Sequence, residues 1–138
     1  MRKILINGLF AGSIILIVGM ISGQVFQLLV PSLVDEYGNE KIFRPWSDPI
    51  MSGMYLQPFL SGIILAWIWT KTQTLFTQIN YWERGANFGL IYCLISMPGM
   101  LISYTSFQVS LIMIISWTVG ILIEGICAGL LFAKFLRQ

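Results

Sequence analysis

The sequence predicts an all-α polytopic membrane protein, with four transmembrane helices in an antiparallel bundle that forms a single domain over residues 1–138. Three observations predict it. Hydrophobic residues make up 57% of the chain and the mean hydropathy is +0.80. Only 8 Lys+Arg and 6 Asp+Glu are present, so charged residues reach 10%, against about a quarter in a soluble domain. That is too few to cover a water-facing surface, and the same composition excludes intrinsic disorder. Finally, apolar runs at 4–31, 50–70, 85–104 and 109–133 each approach or exceed the roughly 20 helical residues needed to cross a bilayer. Run length and the lack of strict alternation select helices over barrel strands.

The first run follows Met1-Arg2-Lys3 and so imitates a signal peptide. It continues to Pro31, beyond the roughly 7–15 residues of a signal h-region, and no A-x-A site follows, so it reads as a span. Its length predicts a tilt or a projection past the interface near Gln24 and Gln27. Pro31 is a suitable stop. Ser32 and Asp35 sit at the spacing of a capping box, which predicts a short helix in the first connection. Asp48-Pro49 predicts the start of the second span, with Asp as cap and Pro at the first helical position. Pro58 and Pro98 fall inside the second and third spans, where each removes a backbone hydrogen bond. Leu75, Phe76, Ile79 and Trp82 follow helical spacing, so 71–84 reads as an interfacial helix or an ordinary loop. Thr105 or Ser106 is the expected cap of the fourth span.

Charge sets the orientation. Arg2, Lys3, Lys71, Arg84, Lys134 and Arg137 lie on one side, and Lys41 and Arg44 on the other with Asp35, Glu36, Glu40 and Asp48. The basic excess predicts a multi-pass cell-membrane protein with both termini cytoplasmic. Aromatic belts agree: Trp67, Trp69, Tyr81, Trp82, Phe132 and Phe135 toward one interface, Tyr37, Trp46, Tyr104 and Phe107 toward the other.

Two patterns concern assembly. Gly8, Gly12, Gly19 and Gly23 mark one stripe of the first span. Gly85 and Gly89 mark the third, and Gly120, Gly125 and Gly129 the fourth. In lipid, small residues let helix backbones approach closely, so each stripe predicts a helix contact, within the bundle or at a homodimer seam. There is also a faint parallel repeat. Ser61-Gly62-Ile63 aligns with Glu124-Gly125-Ile126, and Gly8, Gly12 and Met20 align with Gly85, Gly89 and Met97.

Glu124 is the one charge deep in a span. It should face the protein interior or be protonated. Counting equal depth from the helix ends puts Ser13, Ser61 and Ser96 beside it, with Tyr92 and Cys93 near, and predicts a midplane polar layer. Glu124 reads either as a proton-coupling or cation-binding group, or as a neutral hydrogen-bonded acid that fixes helix register. Chemistry offers little else. The chain has no His, so no metal site and no Ser- or Cys-based catalytic set is expected. Cys93 and Cys127 read as small apolar residues. No cofactor, catalytic residue or nucleic-acid surface is expected. The expected partners are the lipid bilayer and either a second copy or a larger membrane protein.

Asn7-Gly8-Leu9-Phe10-Ala11-Gly12, Phe43-Arg44-Pro45-Trp46, Arg84-Gly85-Ala86-Asn87-Phe88-Gly89 and the Ile123-to-Gly129 stretch together resemble small uncharacterised bacterial four-helix integral membrane proteins. The resemblance implies the fold and carries no activity with it. The chain is also similar to small multidrug transporters in having four short helices and one membrane Glu, but there the Glu belongs to the first helix and here to the fourth. Two functions follow as expectations. One is a noncatalytic accessory or structural bundle; the other is a small homo-oligomeric proton-coupled transporter or channel using Glu124.

Overall fold

The computed structural model describes residues 1–77 and 80–136. The described residues are helical with no strand. They form α1 (Arg2–Leu29), α2 (Ser32–Tyr37), α3 (Gln57–Thr72), α4 (Tyr81–Ser106) and α5 (Leu111–Phe135), with 3₁₀ helices at Pro49–Tyr55 and Gln73–Leu75 flanking α3. Four helical segments are long and apolar enough to cross a membrane: Arg2–Leu29, Pro49–Leu75, Tyr81–Ser106 and Leu111–Phe135. Their outward faces carry exposed large apolar side chains such as Leu5, Ile17, Ile64, Ile95 and Ile115, as lipid-facing helices do. This is the architecture of a multi-pass membrane protein.

Local chemistry sets the helix ends. α1 stops at Leu29 because Val30, which precedes Pro31, is driven out of the helical region (φ −133°, ψ 82°). α2 is the short helix expected after Pro31, although no side chain caps it. Asp48 caps the second span as expected, its Oδ1 accepting from Ile50 N at 2.9 Å while Oδ2 accepts from Arg44. The Ile50 N–H, and after it Arg44, hold this carboxyl below its ordinary range.

The second span departs from one α-helix. Pro58 does not interrupt it midway but stands in the first turn of α3, after the 3₁₀ segment. Its ring cannot accommodate a helical carbonyl four residues back, and it has no N–H to donate. The α-helix therefore begins afresh at Gln57. Pro98, by contrast, lies inside a continuous α4. α5 is capped by Ser110, whose Oγ accepts from Met113 N at 3.1 Å. The expected caps Thr105 and Ser106 lie instead within the last turn of α4, where Thr105 bonds back to Leu101 O.

No interfacial helix forms across the described part of 71–84. α3 runs to Thr72, and Trp82 is already in the first turn of α4. Ile79 lies outside the described residues, as does Arg137. Phe76 is buried, stacked on Trp69 with ring centroids 5.5 Å apart.

Packing divides the chain into two antiparallel hairpins, α1 with α3 and α4 with α5, joined chiefly along α1 and α5. Within the first hairpin, a Cβ on Gly62 would run into Gly8 O and Gly12 N. Within the second, a Cβ on Gly129 would run into Gly85 O, and one on Gly89 into Ile126 N. The glycines aligned by the faint repeat therefore line the backbone contact of each hairpin, but in a register one turn apart: Gly8 meets Ile63, whereas Gly89, not Gly85, meets the aligned Ile126. Gly23 departs from this, since a Cβ there would meet nothing within 4 Å.

Two apolar clusters close the ends of the bundle. One, near the chain termini, is aromatic. Trp69, Phe76, Phe88 and Phe132 pack edge to face or stacked, and Trp69 Nε1 donates to Leu136 O at 3.1 Å. Trp69 and Phe132 are thus core residues and not belt residues, because a nearby carbonyl satisfies the indole N–H and frees that side chain from the interface. The other cluster, Leu33, Val109, Met113 and Ile114, lies under α2 at the opposite end.

Candidate functional site

Between the two clusters the helices part along one side. Two adjoining cavities, of about 380 and 290 Å³, share Gly19, Gly23, Tyr37, Gln57 and Glu124 in their walls. Together they make one open-sided chamber, with Glu124 at its mid-bundle floor, Tyr37 and Trp46 at the capped end, and Met20, Met54 and Tyr55 exposed along its side. The larger arm adds Gln24, Gln27 and Tyr55, and the smaller adds Ser22 and Ser116.

The hollow follows from the small residues of α1. Gly19 presents no side chain to α5, and a Cβ there would come within 2.7 Å of Glu124 Oε1. Gly23 one turn on leaves the space open. Gly120 on α5 opens the same side, with Ser22 Oγ 3.8 Å from where its Cβ would stand. The absent side chains of α1 and α5 make room for one carboxylate and the space above it.

Glu124 is partly buried, and among the described residues no hydrogen-bond donor reaches its carboxylate. Among the described residues it is also the one charged side chain in the walls of the chamber. A carboxylate so placed has two ways to be stable: it holds a proton, or it takes a cation from the chamber.

The expected polar layer assembles only in part: Tyr92 lies within electrostatic reach of Glu124 and pairs with Ser61, while Ser13 and Ser96 turn away. Ser13 Oγ donates to Leu9 O at 3.1 Å, and Ser96 Oγ donates to Tyr92 O at 2.9 Å. Both hydroxyls are spent on their own helices, the common fate of Ser in a membrane helix. Ser61 Oγ accepts from Gln57 Nε2 at 3.0 Å. Ser61 and Tyr92 face each other in a separate apolar groove of about 190 Å³ between α3 and α4. Of the predicted site residues, then, Gly19 and Glu124 meet, with Gly23 beside them and the Tyr92–Ser61 pair within electrostatic reach. Gly8, Gly12, Gly85, Gly89, Gly125 and Gly129 form the hairpin contacts. Cys93 and Cys127 are free thiols.

The residues missed were the amides and the roof. Gln57 and Gln24 are polar residues inside apolar runs, and that was a usable signal. The roof had none. Glu36, which reads as a solvated surface acid, accepts from Ser110 N, and its other oxygen accepts from Ser110 Oγ at 2.7 Å. An acid at a helix N-terminus meets both unpaired N–H groups and the positive end of the dipole. Next to it, Tyr37 OH accepts from Trp117 Nε1 at 2.6 Å, and burial pushes the Tyr37 phenol upward. These two bonds pin α2 over the start of α5 and hold the roof in place.

Comparison of the chain with family models, with curated proteins and with solved structures finds no match.

Proposed function

We propose that this chain is a noncatalytic cell-membrane protein, with both termini in the cytoplasm, that moves a proton or a cation by way of Glu124. It acts as a small transporter or channel, as one copy or as several. The observation that carries this reading is the unpartnered Glu124 carboxylate at the floor of a chamber that runs toward the capped end. An acid that only fixed helix register would be tied to donors on neighbouring helices. This one faces empty space, and desolvating a charge for no contact is costly in a membrane.

The test is flux in liposomes under an imposed proton gradient. Wild-type protein should dissipate the gradient, and Glu124→Gln, purified in the same monodisperse form, should fall to the rate of empty vesicles. Equal rates in the two proteins would end the proposal.

A second reading, a noncatalytic accessory bundle for a larger membrane partner, is favoured by the groove between α3 and α4. There two spans leave an apolar cleft at Ile64, Ile91 and Ile95. Recovery of one recurrent membrane partner in mild detergent, with no flux from the purified chain, would select it.

A further inference from the structure

We infer that the groove between α3 and α4 binds one anionic phospholipid, with an acyl chain lying in the groove and the phosphate held at Lys71 and Arg84. The inference does not depend on Glu124, which is on α5 and outside the groove wall.

The groove exists because the two hairpins meet along α1 and α5 and leave α3 and α4 apart. Its bottom is Leu65 and Phe88, both buried, and its rims are Ile64, Ile91 and Ile95, all exposed. From Phe88 to Ile95 it follows α4 for about 10 Å. The hydroxyls at its inner end are already engaged, since Ser61 accepts from Gln57 and pairs with Tyr92. What remains open is a narrow apolar strip.

The helical stripes that build this strip continue into positive charge. Ile64, Ile68 and Lys71 are spaced by four and three residues on α3, and Arg84, Phe88, Ile91 and Ile95 by four, three and four on α4. Such spacing keeps side chains on one helix face. The strip therefore runs out between a lysine and an arginine, at the end of the bundle that holds the chain termini. Lys71 is exposed, and among the described residues no acid pairs with it. Glu83 is exposed and lies about 100° around α4 from Arg84, off the stripe. Long basic side chains at a helix end reach along the interface. A basic pocket between spans at one membrane face suits an anionic headgroup.

A transmembrane helix is the other apolar occupant, and it fits poorly. With side chains a helix is about 10 Å across, and it nears a neighbour where small residues bare the backbone. Gly62, Gly85 and Gly89 are turned into the hairpins, and the rims of the groove are branched isoleucines. An acyl chain needs no bare backbone.

The test is native mass spectrometry of the full-length protein in detergent, titrated with phosphatidylglycerol or phosphatidylcholine of the same acyl composition. One phosphatidylglycerol should be retained in preference to phosphatidylcholine. Lys71→Gln combined with Arg84→Gln should weaken its binding by about tenfold or more, from about fivefold for each charge. Arg2→Gln combined with Lys3→Gln removes the same charge from the same end, away from the groove, and should leave binding nearly unchanged. The position of the chain is read in vesicles with phosphatidylglycerol that carries a photoactivated diazirine in mid-chain. Adducts should concentrate on Ile64, Ile91 and Ile95 over Leu9 and Ile17, which are exposed at similar depth on α1. Equal weakening in the two double variants, no headgroup preference, or adducts spread evenly over α1 and α4 would overturn the inference. So would a second protein span crosslinked along Ile91 and Ile95 in place of lipid. Lipid retention should survive in Glu124→Gln, and an absence of flux in the wild type would leave it standing, so this site and the transport reading fail separately.

Discussion

Gly89 and Gly19 are both bare positions on apolar helices, yet they do opposite things. At Gly89 a Cβ would strike the backbone of Ile126, and neither main chain can yield without parting α4 from α5. At Gly19 it would strike the far end of the Glu124 side chain, which can swing. Gly89→Ala should therefore destabilise the fold by about 1–3 kcal/mol, the usual cost of overpacking, and lower the melting temperature in detergent. Gly19→Ala should leave melting nearly unchanged and alter flux, because it displaces the carboxylate. Gly23→Ala, which meets open space, is the control. A melting loss at Gly19 as large as that at Gly89 would mean that the floor of the chamber is a packing contact. The sequence marked all of these glycines in the same way. Spacing identifies a small face but not what lies across it, so packing and site roles were indistinguishable until the helices were paired.

The elements show where local rules suffice and where they stop. The second span begins at Asp48-Pro49 because both the cap and the proline act within three residues. The four spans were legible for a similar reason, since composition alone forces a long apolar segment to satisfy its own backbone. The polar layer formed only at Tyr92 and Ser61, because equal depth says nothing about helix rotation and because Ser13 and Ser96 have carbonyls of their own helices within reach. α2 could be read as a short helix but not placed, since its two anchors lie 74 and 80 residues further along the chain. Glu36→Ala removes the stronger anchor, a charged acceptor shared by two Ser110 donors. It should cost about 1–3 kcal/mol, the range for charged hydrogen bonds and for donors left unpaired. Hydrogen exchange should quicken at the first turn of α5 and across α2, while the aromatic cluster around Trp69 stays protected. Unchanged exchange at Ser110 would show that the contact contributes nothing.

At the scale of the molecule, two similar hairpins are joined along one seam, α1 against α5, and stand apart along the other, α3 against α4. The repeat aligns the residues on which each hairpin closes, and it also aligns Ser61 with Glu124. The position that carries the acid in the second hairpin thus carries a hydroxyl in the first, so the chamber has one floor, not two. Orientation is a property of the whole chain as well. Reporter fusions after Glu40 and at the C-terminus should give opposite signals, with the C-terminus cytoplasmic. Equal signals would refute the topology, and reversed ones would put the mouth of the chamber on the cytoplasmic face.

The side-chain hydrogen bonds that span more than sixty residues have a consequence for the living cell. Glu36 to Ser110, Tyr37 to Trp117 and Trp69 to Leu136 all end on α5 or just beside it. A ribosome releases the first member of each pair long before the second. During synthesis the earlier spans wait in the bilayer with their roof unlatched and the Trp69 indole unpaired. Arrival of the fourth span completes all three bonds, so a chain arrested before Ser110 holds none of them.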